Sequence, residues 1–410
     1  MNEAVPDAGR PLPRLRELDA VRGLAALAVV FGHLALIFPA VANASRSNGL
    51  TALDAVLYSP IDGILDGGSA VIVFFVLSGY VLSLSYRGGR QTYPGFLSRR
   101  VARLWLPYIA AVALAMVLAT LLGDEIVHAA SSWFNARWYG SVGITSVLEH
   151  LLLIGHFHDE SQYIPVIWTL VIEMRISLIF PILLAALAVF GWRLTVLPAA
   201  LLTFVAVELA THSSGDFMTL SYIVCFIAGA ALADHHEKIS ALMSRTTSRH
   251  RVLLLALALL LFTYDAWMPP HLLPGPLGAV ARLEGTRIVL ETVSALLFIS
   301  LARQPGRARA FLRSAIPQYL GRVSYSLYLL HTVVLLTVVH IIDPGNDGLL
   351  LALVVPMFLL SLLLADLGQR YVERPAQRLG RRLAARVEGR PPSAAMAAGS
   401  AELSGTEAPL

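Results

Sequence analysis

Apolar residues in this chain come in long blocks, not in the three-to-four-residue rhythm of a surface helix or the alternation of a half-exposed strand. Ten blocks, at about 18–38, 70–86, 102–121, 166–190, 194–212, 219–234, 251–268, 287–303, 318–341 and 349–368, are long enough or nearly so to cross a membrane as helices. Such a crossing spans about 30 Å of hydrocarbon. The sixth block, with 16 residues, and the second, with 17, are marginal in length. The pattern predicts an all-α polytopic membrane protein of about ten transmembrane helices. It divides the chain into an N-terminal segment 1–17, a membrane domain 18–368 and a polar tail 369–410. The first block carries Asp19, Arg22 and His33 and lacks a small-residue cleavage site, so it is expected to stay as a helix. The apolar piece Val147–Gly155 is too short to span, which predicts a re-entrant or interfacial helix. Trp133, Phe134, Trp138 and Tyr139 are expected to seat that segment at headgroup level.

Composition agrees with the block pattern. Hydrophobic residues make up 56% and charged ones 14%, where soluble domains carry roughly 25% charged. That excludes a disordered chain, a secreted disulfide scaffold and a nucleic-acid-binding domain. The single cysteine, Cys225, forms no internal disulfide, and no paired Cys/His motif suggests a zinc site. Charge placement says more than the net +4. With both termini inside, the inner segments and their boundary residues hold 24 Lys and Arg, against three (Arg46, Arg137 and Arg282) in the outer ones. Basic residues are retained on the cytoplasmic side, so both termini are expected there. The tail is Arg-rich to Arg390, which suggests an amphipathic cytoplasmic helix followed by about 20 disordered residues.

An ionisable group inside hydrocarbon is costly and marks a packed network, a cavity or a pathway. On the first helix Asp19 and Arg22 are i,i+3 neighbours near the cytoplasmic end. Arg22 and His33 lie eleven residues apart, which places them on one face and about 16 Å apart along the axis. Glu173 on the fourth helix is expected at about the depth of His33. The ninth helix carries Ser324, Tyr325, Tyr328 and His331 as a polar stripe. Arg100 and Arg103, i,i+3 at the start of the third helix, suit a forked phosphate site. Glu208 and Glu291 are further candidates near the outer ends of their helices. On the residues alone, helix packing and positive-inside anchoring explain these groups as well as a site does.

Five elements in order add to this reading: Leu18-Asp-Ala-Val-Arg-Gly23 followed by His33; Phe74-Phe-Val-Leu-Ser-Gly-Tyr80; Arg99-Arg-Val-Ala-Arg103; Trp168-Thr-Leu-Val-Ile-Glu173; and Leu320-Gly-Arg-Val-Ser-Tyr-Ser-Leu-Tyr-Leu-Leu-His331. Over about residues 15–375 the chain resembles the acyltransferase-3 family of bacterial integral membrane acyltransferases. The resemblance implies transfer of an acyl group, usually acetyl, from acyl-coenzyme A to a hydroxyl of a cell-envelope glycan, exopolysaccharide or glycolipid across the bacterial plasma (inner) membrane. It implies that Arg22 and His33 are essential, that Arg100 and Arg103 serve the donor, and that Glu173 belongs to the site. Where the family pattern often continues from this glutamate with Phe-Tyr, the chain has Arg175-Ile-Ser177. Larger relatives append a soluble esterase-like domain, so direct delivery to the acceptor is expected of this chain.

The chemistry follows without the family name. A hydroxyl attacking a thioester must lose its proton, and a neutral imidazole can take it. That role falls to His33, with Glu173 expected to orient it and Arg22 to organise the donor passage. Asp19, Ser324, Tyr328 and His331 are supporting or substrate-binding candidates. No permanently bound cofactor and no metal is expected; acetyl-coenzyme A or another acyl-coenzyme A is the donor substrate. Expected partners are the acceptor, membrane lipids and envelope polysaccharide assembly proteins, with no nucleic acid. The alternatives are acylation of a small hydrophobic or glycosylated product, a membrane transporter, and a structural subunit. A transporter would be marked by inverted repeats, and none is visible.

Overall fold

The computed structural model describes residues 15–42, 65, 67–87, 92–123, 125–154, 161–212, 217–264, 280 and 283–389. Among them every regular element is helical. The main ones are α1 (Arg16–Leu36), α2 (Gly67–Arg87), α3 (Tyr93–Leu122), α4 (Ile144–His150), α5 (Ile167–His212), α6 (Ile223–Asp234), α7 (Ser248–Phe262), α8 (Glu284–Ala302), α9 (Ala315–Ile342), α10 (Asp347–Gly368) and α11 (Arg374–Val387). A π turn, Gln369–Glu373, joins the last two.

Among the described residues, each of the ten apolar blocks falls mainly on a helix. Among the described residues seven helices are long and apolar enough to cross a membrane. An eighth is added if Met218–Asp234 and His236–Ser244, bent by 71°, form one broken span. Two of the expected blocks lie within α5. Its 46 residues would reach about 69 Å unbroken, more than twice the hydrocarbon thickness. At Gly191 the backbone leaves the helix (φ 73°, ψ 170°), a conformation that favours glycine. The break falls between the two blocks. Beside it the Arg193 guanidinium lies 5.4 Å over the Trp192 ring.

α1 packs mainly on α9 and α2, and α2 in turn on α6. α5 packs on α6, α8 and α3. The α1–α9 crossing is as close as backbones allow: a Cβ on Gly23 would overlap Leu320 and Gly321, and one on Gly321 would overlap Asp19. Small residues give membrane helices this approach, since lipid supplies no hydrophobic drive between them.

The tail helix α11 lays Ala376, Gly380 and Ala384 against α3 and leaves Arg378, Arg382 and Arg386 exposed. A Cβ on Gly380 would meet Ala102, and Arg99 pairs with Glu388 at 2.9 Å. The anticipated amphipathic helix is therefore present, seated on the bundle; residues 390–410 lie outside those described.

The segment 125–154 differs from expectation. Of its four aromatics only Tyr139 is exposed, at 52%. Phe134 and Trp138 are buried against the His340 ring, at 4.9 and 5.5 Å between centroids, and Trp138 Nε1 donates to the Tyr163 carbonyl at 3.0 Å. They fill the bundle end instead of facing headgroups. The apolar piece forms α4 and then descends the bundle flank. Trp105 donates to the Leu151 carbonyl at 2.7 Å, and Arg175, eight residues into α5, donates to Ile154 at 2.9 Å. That depth, about 12 Å, fits a re-entrant path better than a flat interfacial one.

Candidate active site

A cleft of about 830 Å³, open solvent included, runs between α1, α2, α3, α5 and α9. It gathers Arg22, Arg100, Arg103, Glu173, Ser324, Tyr325 and Tyr328, seven of the twelve residues singled out from the sequence. Its lining extends along α2 from Leu82 to Val71, eleven residues or about 16 Å. Asp19 stands beside it, 3.5 Å from the Arg22 guanidinium.

Glu173 does not meet His33. α1 packs on α9 and α2 while α5 packs on α6, α8 and α3, so the two side chains face different neighbours despite similar estimated depths. The Glu173 carboxylate pairs with Arg100 and accepts from Ser78 Oγ at 2.6 Å. Arg100 also donates from Nε to Ser177 Oγ at 2.9 Å and is 7% exposed. A buried guanidinium needs such partners, and these two spend it.

Arg100 and Arg103, the expected fork, both line the cleft, with the Arg100 guanidinium engaged by Glu173 and Ser177. Arg103 forms no hydrogen bond or ion pair among the described residues. It faces the cleft together with Arg22. Ser177, in the stretch where the chain departs from the family pattern, is the residue that holds Arg100.

His33 finds a different partner. Its Nδ1 lies 2.9 Å from the Val29 carbonyl and 3.2 Å from Nε2 of His331. His331 is fully buried, with its own Nδ1 2.9 Å from the Leu327 carbonyl. A carbonyl only accepts, so both neutral rings carry their proton on Nδ1. His331 then turns a lone pair toward His33 Nδ1, whose one proton is shared between the Val29 carbonyl and His331. His33 Nε2 keeps its own lone pair and has no hydrogen-bond partner among the described residues. Trp133 covers the pair, 5.3 Å from the His33 ring. Neither histidine lines the cleft; Tyr328, which does, has its ring centroid 6.3 Å from that of His331.

Sequence reasoning missed Glu373. It lines the cleft from the π turn, accepting from Ser326 Oγ at 3.0 Å and from Gln377 Nε2 at 3.0 Å. In the sequence it sits inside the Arg-rich tail, and the widened turn that carries it inward has no sequence mark, although such turns recur at functional sites. Glu291, by contrast, is a structural group: buried and paired with Arg287 at 2.9 Å. Among the described residues no group of three His, Cys, Asp or Glu side chains could hold a metal ion.

A charged cleft inside an apolar helical bundle, with a buried histidine pair beside it, defines a helical membrane protein with a polar site between its helices. The acyltransferase domain model of the acyltransferase-3 family matches residues 15–368, most of the chain and every residue of the site described except Glu373. This protein belongs to that family and is an acyltransferase of the membrane-embedded kind. No curated protein and no solved structure matches it.

Proposed function

We propose that the protein transfers an acyl group, acetyl by preference, from acyl-coenzyme A to a hydroxyl of a cell-envelope glycan or glycolipid in the bacterial plasma membrane. The observation that carries this is the distance between the two ends of the site. Arg22 and His33 stand on one helix, about 16 Å apart along it, a span that an extended pantetheine arm covers. Arg22 and Arg103 hold the donor phosphates, for which guanidinium is geometrically suited. Glu173 serves them indirectly by fixing Arg100.

At the far end the acceptor oxygen attacks the thioester carbon while His33 Nε2 takes its proton. The C–S bond then breaks, and the imidazolium returns the proton to the departing thiolate. His331, in place of Glu173, supports the charged state. Once His33 is protonated, its Nδ1–H bond to the lone pair of His331 becomes charge-assisted and roughly twice as strong.

Purified protein with isotope-labelled acetyl-coenzyme A and a glycan acceptor tests the reading. Arg22→Ala and Arg103→Ala are each expected to raise KM for the donor by about 10- to 100-fold, as loss of a charged hydrogen bond worth about 1.5–3 kcal/mol implies. A correctly inserted double variant with the parent's donor dependence would remove both from the donor site.

The same reading places ten helices across the membrane with both termini cytoplasmic, on the strength of the 24-to-3 basic split. Cysteines at Tyr139 and Gly345, both exposed, should react with an impermeant thiol reagent from outside, and one at exposed Ala241 should not. The native Cys225 is buried and stays silent. The opposite labelling pattern would invert the topology.

A further inference from the structure

Tyr328 lines the cleft and stands next to the histidine pair, its ring centroid 6.3 Å from that of His331. Tyr328 Oη lies 2.8 Å from Thr169 Oγ1, bridging α9 and α5. The proton inventory gives this bond a direction. Thr169 Oγ1 also lies 2.8 Å from the Val166 carbonyl, which can only accept. A hydroxyl has one proton, so Thr169 donates to Val166 and Tyr328 donates to Thr169. Phe74 fixes the phenol ring from the side, edge-on at 5.4 Å between centroids. Tyr328 is 5% exposed. The fold thus holds a buried O–H donor at the histidine end of the cleft, spent on nothing stronger than a neutral threonine oxygen.

Acyl transfer creates a stronger acceptor at that place. As the acceptor oxygen bonds to the thioester carbon, the carbonyl π pair moves onto its oxygen, which becomes an anion. A hydrogen bond to an anionic oxygen is roughly twice as strong as one to a neutral oxygen. A donor that trades one for the other therefore binds the transition state better than the ground state. We propose that Tyr328 is the oxyanion donor of this enzyme. Its O–H turns from Thr169 to the developing oxyanion as His33 Nε2 takes the acceptor's proton. It returns to Thr169 when the carbonyl re-forms, the C–S bond breaks and the thiolate leaves with the proton from His33. This assignment rests on the acyl-transfer reading above.

Two substitutions that delete the same hydrogen bond separate this role from packing. Tyr328→Phe removes the donor and is expected to lower kcat by about a hundred- to a thousand-fold, with coenzyme A binding and KM for the donor near the parent's. Thr169→Val removes only the resting acceptor and leaves the phenol in place, so its kcat should fall by no more than about tenfold, the worth of one neutral hydrogen bond, and at least tenfold less than that of Tyr328→Phe. A bond that merely ties α9 to α5 would make the two variants equally impaired. Tyr328→Met, which also lacks the hydroxyl, takes the place of Tyr328→Phe if the latter does not bind coenzyme A.

A hydroxyl-less variant with turnover within tenfold of the parent, or a Thr169→Val protein as damaged as Tyr328→Phe, would overturn the assignment and leave acyl transfer intact. A parent protein that moves no label from acetyl-coenzyme A would overturn the acyl-transfer reading itself.

Discussion

His33→Gln is expected to lower turnover by about a hundred- to ten-thousand-fold, the usual contribution of a general base, without loss of folded protein or of donor binding. Glutamine fills much of the imidazole volume, but its amide cannot take a proton. His331 gives the graded comparison. Its Nε2 lies 3.2 Å from His33 Nδ1 and has no proton to give when Leu327 holds the one on Nδ1. Replacing it with Leu removes the acceptor that stabilises protonated His33, yet leaves the base itself. His331→Leu should fall between the parent and His33→Gln. Single-turnover rates with saturating acetyl-coenzyme A and acceptor measure the transfer step directly. A folded His33→Gln enzyme with near-parent turnover would return His33 to the packing core and move the proton acceptor elsewhere in the cleft.

The second large effect is on stability. Glu173→Leu should cost about 3–5 kcal/mol, because Arg100 is then a buried charge without its carboxylate. Ser177 remains as a partner at 2.9 Å but carries no charge. Arg100→Leu/Glu173→Leu removes both charges and should recover most of the loss, since a buried ion pair and a well-packed apolar pair are often close in stability. Thermal unfolding in detergent, followed by intrinsic fluorescence, orders the three proteins. A double variant less stable than Glu173→Leu alone would mean that the pair does more than cancel its own desolvation.

What could be read from the sequence divides along physical lines. Helix positions were legible because block length and apolarity answer to the thickness of hydrocarbon, a single external constraint. The break at Gly191 was legible for the same reason: two blocks met with only three residues between them. Along one helix, geometry is fixed by rise and rotation, so Arg22 and His33 could be placed on a shared face. Between helices no such rule applies. Glu173 and His33 were matched by depth alone, and depth says nothing about which helices touch. The glycines that seat α1 on α9, and with it His33 beside His331, were visible, but their partners were not. Glu373 was hidden more deeply. Its position depends on a π turn and on α11 folding back along α3, and neither leaves a pattern in the residues. The aromatics of 125–154 were misjudged because interface statistics favour headgroups, while the His340 ring in the bundle offered Phe134 and Trp138 a better place.

The glycine crossing at Gly23 and Gly321 turns α1 and α9 into a ruler. The backbones meet there too closely to admit even a Cβ, so the spacings of Arg22, His33, Tyr328 and His331 are measured from this one crossing. The gauge is graduated in residues, with about 1.5 Å per step. A single residue inserted between Gly23 and His33 would advance the histidine by one step and swing it about 100° around the helix, away from His331 altogether. On the proposed reading, the length of donor arm that reaches the histidine is written into α1 as a count of residues.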